Sequence, residues 1–428
     1  MKKPIGFKPS EISALINEQV VQQHADEASF QWLLRNAAVT SPNYNLMDLA
    51  ALDERVEANI DGLRVAGEYG WKICEEQLGF EEPGEVFTAG VLSVESGDDE
   101  GIKRVLDVAL QEKALLKAFI SALGWIGFDQ AEPAMAKLIA SDIPEHRYVG
   151  IAAYAIHRKD PGPVLTQAVH DQAPIVRARA LKAAGELGRL DLMNDLIHYA
   201  HDDHEMCRFY AAWSAGRLGN CMENIVTVLC DFIVPADPKA PQALTLVLNC
   251  MQDEQALRFF QKLKASVEHQ GLAAIAIGLM GDPALIPELF PMMNRQDLAR
   301  VAGESFSMIT GIDIEYDDLN QDPPEGFEAG VSEDPDAQDV EMDPDEDLPW
   351  PNPALIEKWW QAHQKKFKPG KRYLLGQLIN EQSLNEVLRI GNQRQRLVAA
   401  WELSIRNTGD ELFEVRAPGK RQIRLLNI

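Results

Sequence analysis

The sequence predicts an all-α fold, a solenoid of about nine two-helix repeats with an acidic disordered tether and a small, mainly helical C-terminal module. Three observations lead to this prediction. A short motif ending in glycine recurs along the chain, apolar residues between the glycines have helical spacing, and the charge changes sign near the C-terminus. The boundaries are an N-terminal helical cap over 1–46, repeats over 47–312, the tether over 313–349 and the module over 350–428.

The repeat length is measured from the glycine that closes each motif. AGELG ends at Gly188, AGRLG at Gly219, IGLMG at Gly281 and LGWIG at Gly127, and AGEYG adds Gly70 upstream. The steps from Gly127 to Gly188, Gly219 and Gly281 are 61, 31 and 62 residues. Each long step is about twice the short one, so each should contain a further repeat of about 31 residues.

Each repeat is predicted to consist of two helices. Val176, Ala180 and Ala183 have the spacing of one helical face. Gly188 follows at the position where a left-handed residue closes a helix, a conformation that glycine adopts at low cost. Asp191 is then expected to cap the second helix.

The joint between repeats also recurs. HDQAPIVR (170–177) and HDDHEMCR (201–208) align at an offset of 31 and pair Asp171 with Asp202 and Arg177 with Arg208. Such pairs can bond to each other or to neighbouring backbone, and stacked repeats would then carry a ladder that sets the angle between them. The alternative is that these charges are solvated one by one.

Units of this length, with aspartate and arginine at the joint and A-x-x-x-L-G closing the first helix, resemble HEAT repeats of the short bacterial type over the middle two-thirds of the chain. LDERVEANIDGLRVAGEYG (52–70) and WWQAHQKKFKPGKRYLLG (359–376) make the whole chain similar to a bacterial HEAT-repeat family often encoded beside type VI secretion spike and effector genes. The resemblance implies a spike or effector protein as partner, and it implies no biochemical activity.

The N-terminal cap is predicted to contain two helices. They are ISALINEQVVQQH and ASFQWLLRNAAV, and the second places Phe30, Leu33 and Leu34 on one face. We expect the cap to cover the first repeat, because the end of a solenoid otherwise exposes its core.

The tether is defined by its charge. Residues 313–349 contain sixteen Asp and Glu, no Lys or Arg, and five prolines. A segment of this composition cannot bury enough apolar surface to order itself, which favours a flexible connection. The alternatives are a nucleic-acid mimic and a calcium-binding segment, although an EF-hand loop is absent.

The C-terminal module is basic, with fourteen Lys and Arg against seven Asp and Glu. PALIEKWWQAHQKKF is an amphipathic helix with Leu355, Trp359 and Phe367 toward one face. We expect residues 350–428 to dock near the last repeats through apolar contacts of Trp359 and Phe367, with charge attraction as a secondary term. Ser383 and Glu386 suggest a capping box at the start of a further helix. The end, ELFEVRAPGKRQIRLL, is predicted to form two short extended pieces.

Two clusters of residues are candidate sites: a pair of tryptophans for partner binding, and a run of histidines with a cysteine for metal binding. Trp359 and Trp360 suggest a partner-binding anchor, since tryptophan is enriched in interface hot spots; the alternative is that one packs in the core and the other shields it. His198, His201, His204 and Cys207 are candidate zinc ligands. On a helix, however, steps of three carry these side chains around the surface, so the sequence favours a repeat joint with extra histidines.

Composition narrows the function. The net charge of −25 argues against binding to a nucleic-acid backbone or an anionic membrane. Five cysteines without a C-x-x-C and the absence of a signal or membrane-spanning segment favour a reduced, cytoplasmic protein with free thiols. No catalytic or cofactor motif is found. The expected function is a non-catalytic protein-binding scaffold or adaptor, and the alternative is an enzyme with an unrecognised, metal-dependent or other, site on a HEAT scaffold.

Overall fold

A computed structural model describes residues 17–325, 327, 343 and 345–428. The chain forms two compact units, which interleave in sequence. Of the described residues, unit 1 comprises residues 17–40 together with Leu46–Ala180 and Arg416–Asn427. Unit 2 comprises Ser41–Asn45, the described part of Leu181–Val415 and Ile428.

The described part of unit 1 consists of α-helices and the loops between them. In chain order the helices are α1 (Glu18–Ala38), α2 (Leu46–Ala66), α3 (Glu68–Gln77), α4 (Pro83–Ser96), α5 (Asp99–Ala109), α6 (Lys113–Trp125), α7 (Phe128–Ile139), α8 (Pro144–Ile156) and α9 (Pro163–Ala168), with one 3₁₀ turn at Leu78–Phe80. Helix α10 (Pro174–Glu186) contains the boundary between the units.

Unit 2 continues the same pattern. Its helices are α11 (Met193–Tyr199), α12 (Glu205–Arg217), α13 (Glu223–Asp231), α14 (Ala240–Cys250), α15 (Asp253–Ala265), α16 (Gln270–Met280), α17 (Leu289–Met293), α18 (Ala299–Thr310), α19 (Pro353–His363), α20 (Glu381–Ile390) and α21 (Gln393–Arg406). Four 3₁₀ turns (Leu190–Leu192, Val267–His269, Pro283–Glu288, Gln364–Lys366) and an antiparallel pair, β1 (Tyr373–Leu374) and β2 (Gln377–Leu378), complete it. A last helix, α22 (Gly419–Leu426), belongs to unit 1.

The all-α prediction and the repeat are confirmed. First helices begin at residues 83, 113, 144, 174, 205, 240, 270 and 299, so the steps are 30 or 31 residues except for 35 at one place and 29 at the end. The long step arises because α13 is followed by the loop 232–239 before α14 begins. Both hidden repeats exist, since α8 ends at Ile156 and α14 at Cys250.

Each unit has its own apolar core. In unit 1, Trp32 stacks on Phe87 with ring centroids 4.7 Å apart, and Phe87 meets Trp125 edge-on at 5.4 Å. In unit 2, Phe209 and Phe306 are fully buried. Consecutive first helices pack on one another, as α4 does on α6 and α16 on α18, which is the stacking expected of repeats.

The prediction for the N-terminal cap is wrong about its face. Helix α1 packs on α2, α3 and α4 through residues such as Trp32, whereas Phe30, Leu33 and Leu34 are exposed. Ala25 and Ala28 are fully buried on the same side as Trp32, and their small side chains leave room for the neighbouring helices. The two predicted cap helices are also not separate: residues 18–24 of the first continue without a break into the second as the single helix α1, and residues 12–16 lie outside the described residues.

Three local predictions in the remaining chain also fail. Asp191 does not cap a helix but pairs with Arg189. The capping box of α20 uses Asn380 and Ser383, so the helix begins three residues earlier than expected. The second of the two predicted extended pieces is instead α22, which begins directly after Pro418.

The acidic segment is packed at both described ends. Ile314, Leu319 and Leu348 are buried, and Asn320 forms a β-bridge with Pro351. The side chain of Arg300 bonds to Asp343 and lies over the ring of Phe327 at 5.0 Å. The prediction of a flexible tether for the stretch between residues 327 and 343 lies outside the described residues.

Candidate functional site

In unit 2 the ends of the first helices bind a stretch of the C-terminal module. The backbone N–H of Tyr373 donates to the Gly281 carbonyl at 2.9 Å, and that of Leu375 to the Met308 carbonyl at 2.8 Å. A helix leaves its last four carbonyls without intrahelical partners. The module therefore supplies the donors that the ends of α16 and α18 lack.

Arg372 extends this capping through its side chain. Its guanidinium donates to the carbonyls of Leu279 at 2.9 Å and Met280 at 3.1 Å, and it pairs with Glu402 at 2.5 Å. The side chain of Glu402 is 3% exposed. One arginine thus joins the end of α16 to α21, and its charge suits the negative end of the helix.

A second contact of the same kind lies on α10 and α12. The Leu412 N–H donates to the Glu186 carbonyl at 2.9 Å, and the buried Arg217 donates to the Asp410 carbonyl. Gly188 has φ of 73°, and a Cβ there would overlap the carbonyl of Gly409. This glycine is required for its left-handed backbone and for close approach of another segment.

Unit 1 holds the last residues of the chain by similar chemistry. Arg35 donates to the Asp53 carboxylate at 2.8 Å and to the carbonyl of Arg416 at 2.8 Å. Asp53 also accepts the N–H of Gly419, the first residue of α22. Burial raises the pKa of the Asp53 carboxyl, and Arg35 opposes that shift. Arg421 of α22 donates to the carbonyl of Gly124 near the end of α6 at 2.7 Å.

These contacts show which groups bind the arginine side chains of the module. Arg372 and Arg421 donate to carbonyls at the ends of first helices, and Arg394 pairs with Glu304 at 2.9 Å and Asp345 at 3.1 Å. Burial raises the pKa of Glu304, against the effect of Arg394. We use the name helix-end surface for the helix ends that bind the module: those at Glu186, Gly281 and Met308 in unit 2 and that at Gly124 in unit 1. Its chemistry is non-covalent recognition of a protein segment by backbone carbonyls.

The two candidate tryptophans belong to this intramolecular packing. Trp360 is 7% exposed and lies 5.4 Å from Phe367, while Trp359 meets the ring of Phe306 edge-on at 5.7 Å. Helix α19 is therefore held against α18 by both rings. Leu355 is 40% exposed, so the buried face differs from the predicted one. The predicted partner anchor at Trp359 and Trp360 receives no support from this placement.

The repeat glycines have different roles. Gly219 and Gly281 have φ of 91° and 67°, as expected for residues that close helices. Gly127 has φ of −61° and precedes α7. Gly70 lies inside α3, where a Cβ would meet the Leu63 carbonyl. Motif similarity could not separate these cases because it records glycine and not its backbone angle.

The joints carry the arginine and aspartate contacts that the sequence suggested. Arg177 donates to the backbone carbonyl of Asp171 at 2.7 Å, and Arg208 to that of Asp202 at 2.8 Å. Arg147, one repeat earlier, reaches the carboxylate of Asp171 at 2.8 Å. Within unit 1, this pair links successive repeats and forms one step of the expected ladder.

The histidine run shows no metal-binding geometry. His198, His201 and His204 are exposed, whereas Cys207 is fully buried in the core. Across the described part of the chain, no group of three His, Cys, Asp or Glu side chains is placed to hold a metal ion. The imidazoles and the thiol are not brought together.

Sequence reasoning missed a disulfide between Cys221 and Cys250. The expectation of free thiols holds for Cys74, Cys207 and Cys230 only, so the cysteines do not support the expected reducing compartment. Burial raises the pKa of the Cys74 thiol to about 12, which makes it a poor nucleophile. A spacing of 29 residues is close to the repeat length, so both cysteines fall near the same end of neighbouring first helices.

Comparison with known proteins identifies the repeat. Residues 162–258 match the family model described as HEAT repeats. No curated protein matches the chain. None of the helices in the described residues combines the length and the apolar character needed to cross a membrane. The match and the helix pairs define an all-α protein with HEAT repeats in this part of the chain.

Proposed function

We propose that this protein is a non-catalytic, cytoplasmic protein-binding scaffold that serves as a chaperone or adaptor for a spike or effector of a type VI secretion system. The observation that supports the scaffold role is the HEAT-repeat pattern itself, with helix pairs that recur about every 30 residues and a match to HEAT repeats over residues 162–258. Stacked repeats offer a pre-formed surface that binds without large rearrangement.

The choice of a secretion partner rests on resemblance. The stretches 52–70 and 359–376 are similar to a family often encoded beside spike and effector genes. In this chain they contribute Asp53, which holds α22, and Arg372 and Tyr373, which bind the end of α16. These residues have structural roles, so partner contacts are expected on other surfaces.

The test is co-purification of the full chain with proteins encoded beside its gene. Tagged protein expressed with each neighbour should retain one spike or effector protein in a complex of fixed stoichiometry. A complex that survives size-exclusion chromatography supports the proposal. Failure with every spike and effector neighbour contradicts the secretion role, and stoichiometric zinc or iron in the purified protein would favour the enzyme alternative.

A further inference from the structure

Helix α1 carries an apolar face that the described residues leave uncovered. Phe30, Leu33 and Leu34 are 55%, 38% and 43% exposed. They stand at i, i+3 and i+4, so they lie on one side of the helix, and the exposed Ala37 continues that side by one turn. We call these four residues the α1 face.

The position of this face makes its composition unusual. The terminal repeat of a stacked array needs a polar outer surface to remain soluble. Helix α1 buries its other side, including Trp32, against the neighbouring helices of unit 1. Its outer side is apolar over its C-terminal half, and an exposed apolar patch beside polar residues is typical of an interaction surface.

The charge beside the α1 face indicates what kind of chain fits. Asp26 and Glu27 stand on the N-terminal half of α1, one turn before Phe30. Asp26 also accepts hydrogen bonds from Gln22 at 3.0 Å and from Gln77 of α3 at 2.5 Å. The helix has one basic residue, Arg35, and it is buried in its pair with Asp53. The exposed side of α1 therefore combines an acidic half with an apolar half.

We infer that the α1 face docks an amphipathic helix of a partner protein, with apolar residues on Phe30, Leu33 and Leu34 and lysine or arginine toward Asp26 and Glu27. This inference rests on the proposed scaffold function and names the surface and partner chemistry. A second copy of the chain is a poorer fit, because a net charge of −25 opposes self-association. Burial of the face provides affinity and the charges fix the direction of the helix.

The test uses two synthetic 18-residue peptides as probes. Both carry leucine at one helical face, and they differ in having lysine or glutamate at one end. Fluorescence anisotropy with the full chain should show the lysine peptide binding at least tenfold more tightly than the glutamate peptide. A triple variant, Phe30→Ser with Leu33→Gln and Leu34→Gln, should weaken the lysine peptide at least tenfold.

A matched control separates the face from general surface stickiness. Leu355→Gln with Ile390→Gln removes two exposed apolar residues of unit 2 and should leave peptide affinity unchanged. Equal binding to wild type and triple variant, or equal loss in the control, would overturn the inference. Circular dichroism checks folding, and the single variant Leu33→Gln replaces the triple variant if the latter unfolds.

Two further outcomes would assign the face to other occupants. A tenfold gain in peptide affinity on deletion of residues 1–16, which include Lys2, Lys3 and Lys8, would assign it to this chain and contradict the inference. Dimers that disappear in the triple variant would assign it to a second copy. If a secretion partner co-purifies equally with wild type and triple variant, the proposed function stands and only the choice of this surface fails.

Discussion

A glycine at a helix end can be required for its left-handed backbone, for the close approach of another segment, or for both. Gly188 and Gly97 have nearly the same backbone angle, with φ of 73° and 69°. A Cβ at Gly97 would meet no atom within 4 Å, whereas one at Gly188 would overlap Gly409. The left-handed requirement at Gly188 could be predicted from the motif, but the approach of Gly409 could not, because 221 residues separate the two positions.

Substitution of Gly97 and Gly188 separates the cost of a left-handed backbone from the cost of losing the close contact with Gly409. Gly97→Ala should lower the free energy of unfolding by about 1 kcal/mol, the cost of a left-handed alanine. Gly188→Ala should cost clearly more, because the docked loop must also move, and Gly188→Val more still. Thermal and denaturant unfolding measure both, and equal losses at the two alanine variants would contradict the contact with Gly409.

His157 provides a prediction for pH. Its ring lies 2.9 Å from the Leu123 carbonyl, and burial, followed by the nearby charge of Arg421, lowers its pKa from 6.5 to about 4. The unfolded chain therefore binds more protons than the folded chain between these values. Stability is fully retained above pH 6.5 and falls as the pH drops toward 4, by up to about 3 kcal/mol.

The matched variant is His157→Gln, which keeps a donor for the carbonyl and does not titrate. The difference in unfolding free energy between wild type and variant, measured from pH 7 to 4, should shrink as the pH falls. Other groups contribute equally to both proteins and cancel in this difference. A difference that is constant with pH would show that His157 is not held neutral.

At the scale of secondary structure elements, the docked module completes the repeats. The helix pairs could be predicted because the spacing of glycine and apolar residues within each repeat indicates where its helices lie. The capping of α16 by Arg372 could not be predicted, because every residue has a backbone carbonyl and residue type does not show which carbonyl accepts a hydrogen bond. The same limit explains the error at α1, where both sides of the helix carry apolar residues and only packing selects Trp32.

Replacement of Arg372 tests this capping. Arg372→Met removes donors to Leu279 and Met280 and leaves the buried Glu402 with Arg406 at 3.8 Å as its remaining ion pair. We expect a loss of more than about 2 kcal/mol in unfolding free energy, because a buried carboxylate loses its closest partner. Lys365→Met, an exposed change in the same module, should stay within about 0.5 kcal/mol.

The disulfide joins the end of α14 to the loop after α12. A closed loop of 29 residues should stabilise unit 2 by about 3–4 kcal/mol through the entropy of the unfolded chain. Unfolding with and without reductant, with Cys221→Ser as control, measures the effect. Reductant that destabilises wild type and Cys221→Ser equally would contradict the pairing.

At the scale of the whole molecule, the basic module and the acidic repeats form contacts within each compact unit and are not separated along a tether. Residues 350–415 belong to unit 2 and residues 416–427 to unit 1. The sign change at residue 350 could be read from the sequence. Docking of the whole module near the last repeats, expected from Trp359 and Phe367, is wrong for residues 416–427, which contact Arg35, Asp53 and Gly124 in unit 1. The use of arginine on helix ends, and the return of the chain to unit 1, required the structure.

The central claim is that the C-terminal module is an integral part of the fold, bound by apolar contacts and backbone capping. The most direct measurement introduces a protease site between residues 327 and 343 of the full chain and cleaves it. The two fragments should elute together on size-exclusion chromatography, and they should remain together in 1 M salt because surface ion pairs are a minor term. Fragments that separate at low salt would contradict the claim, and separation only at high salt would show that charge, not the rings of Trp360 and Phe367, holds the module.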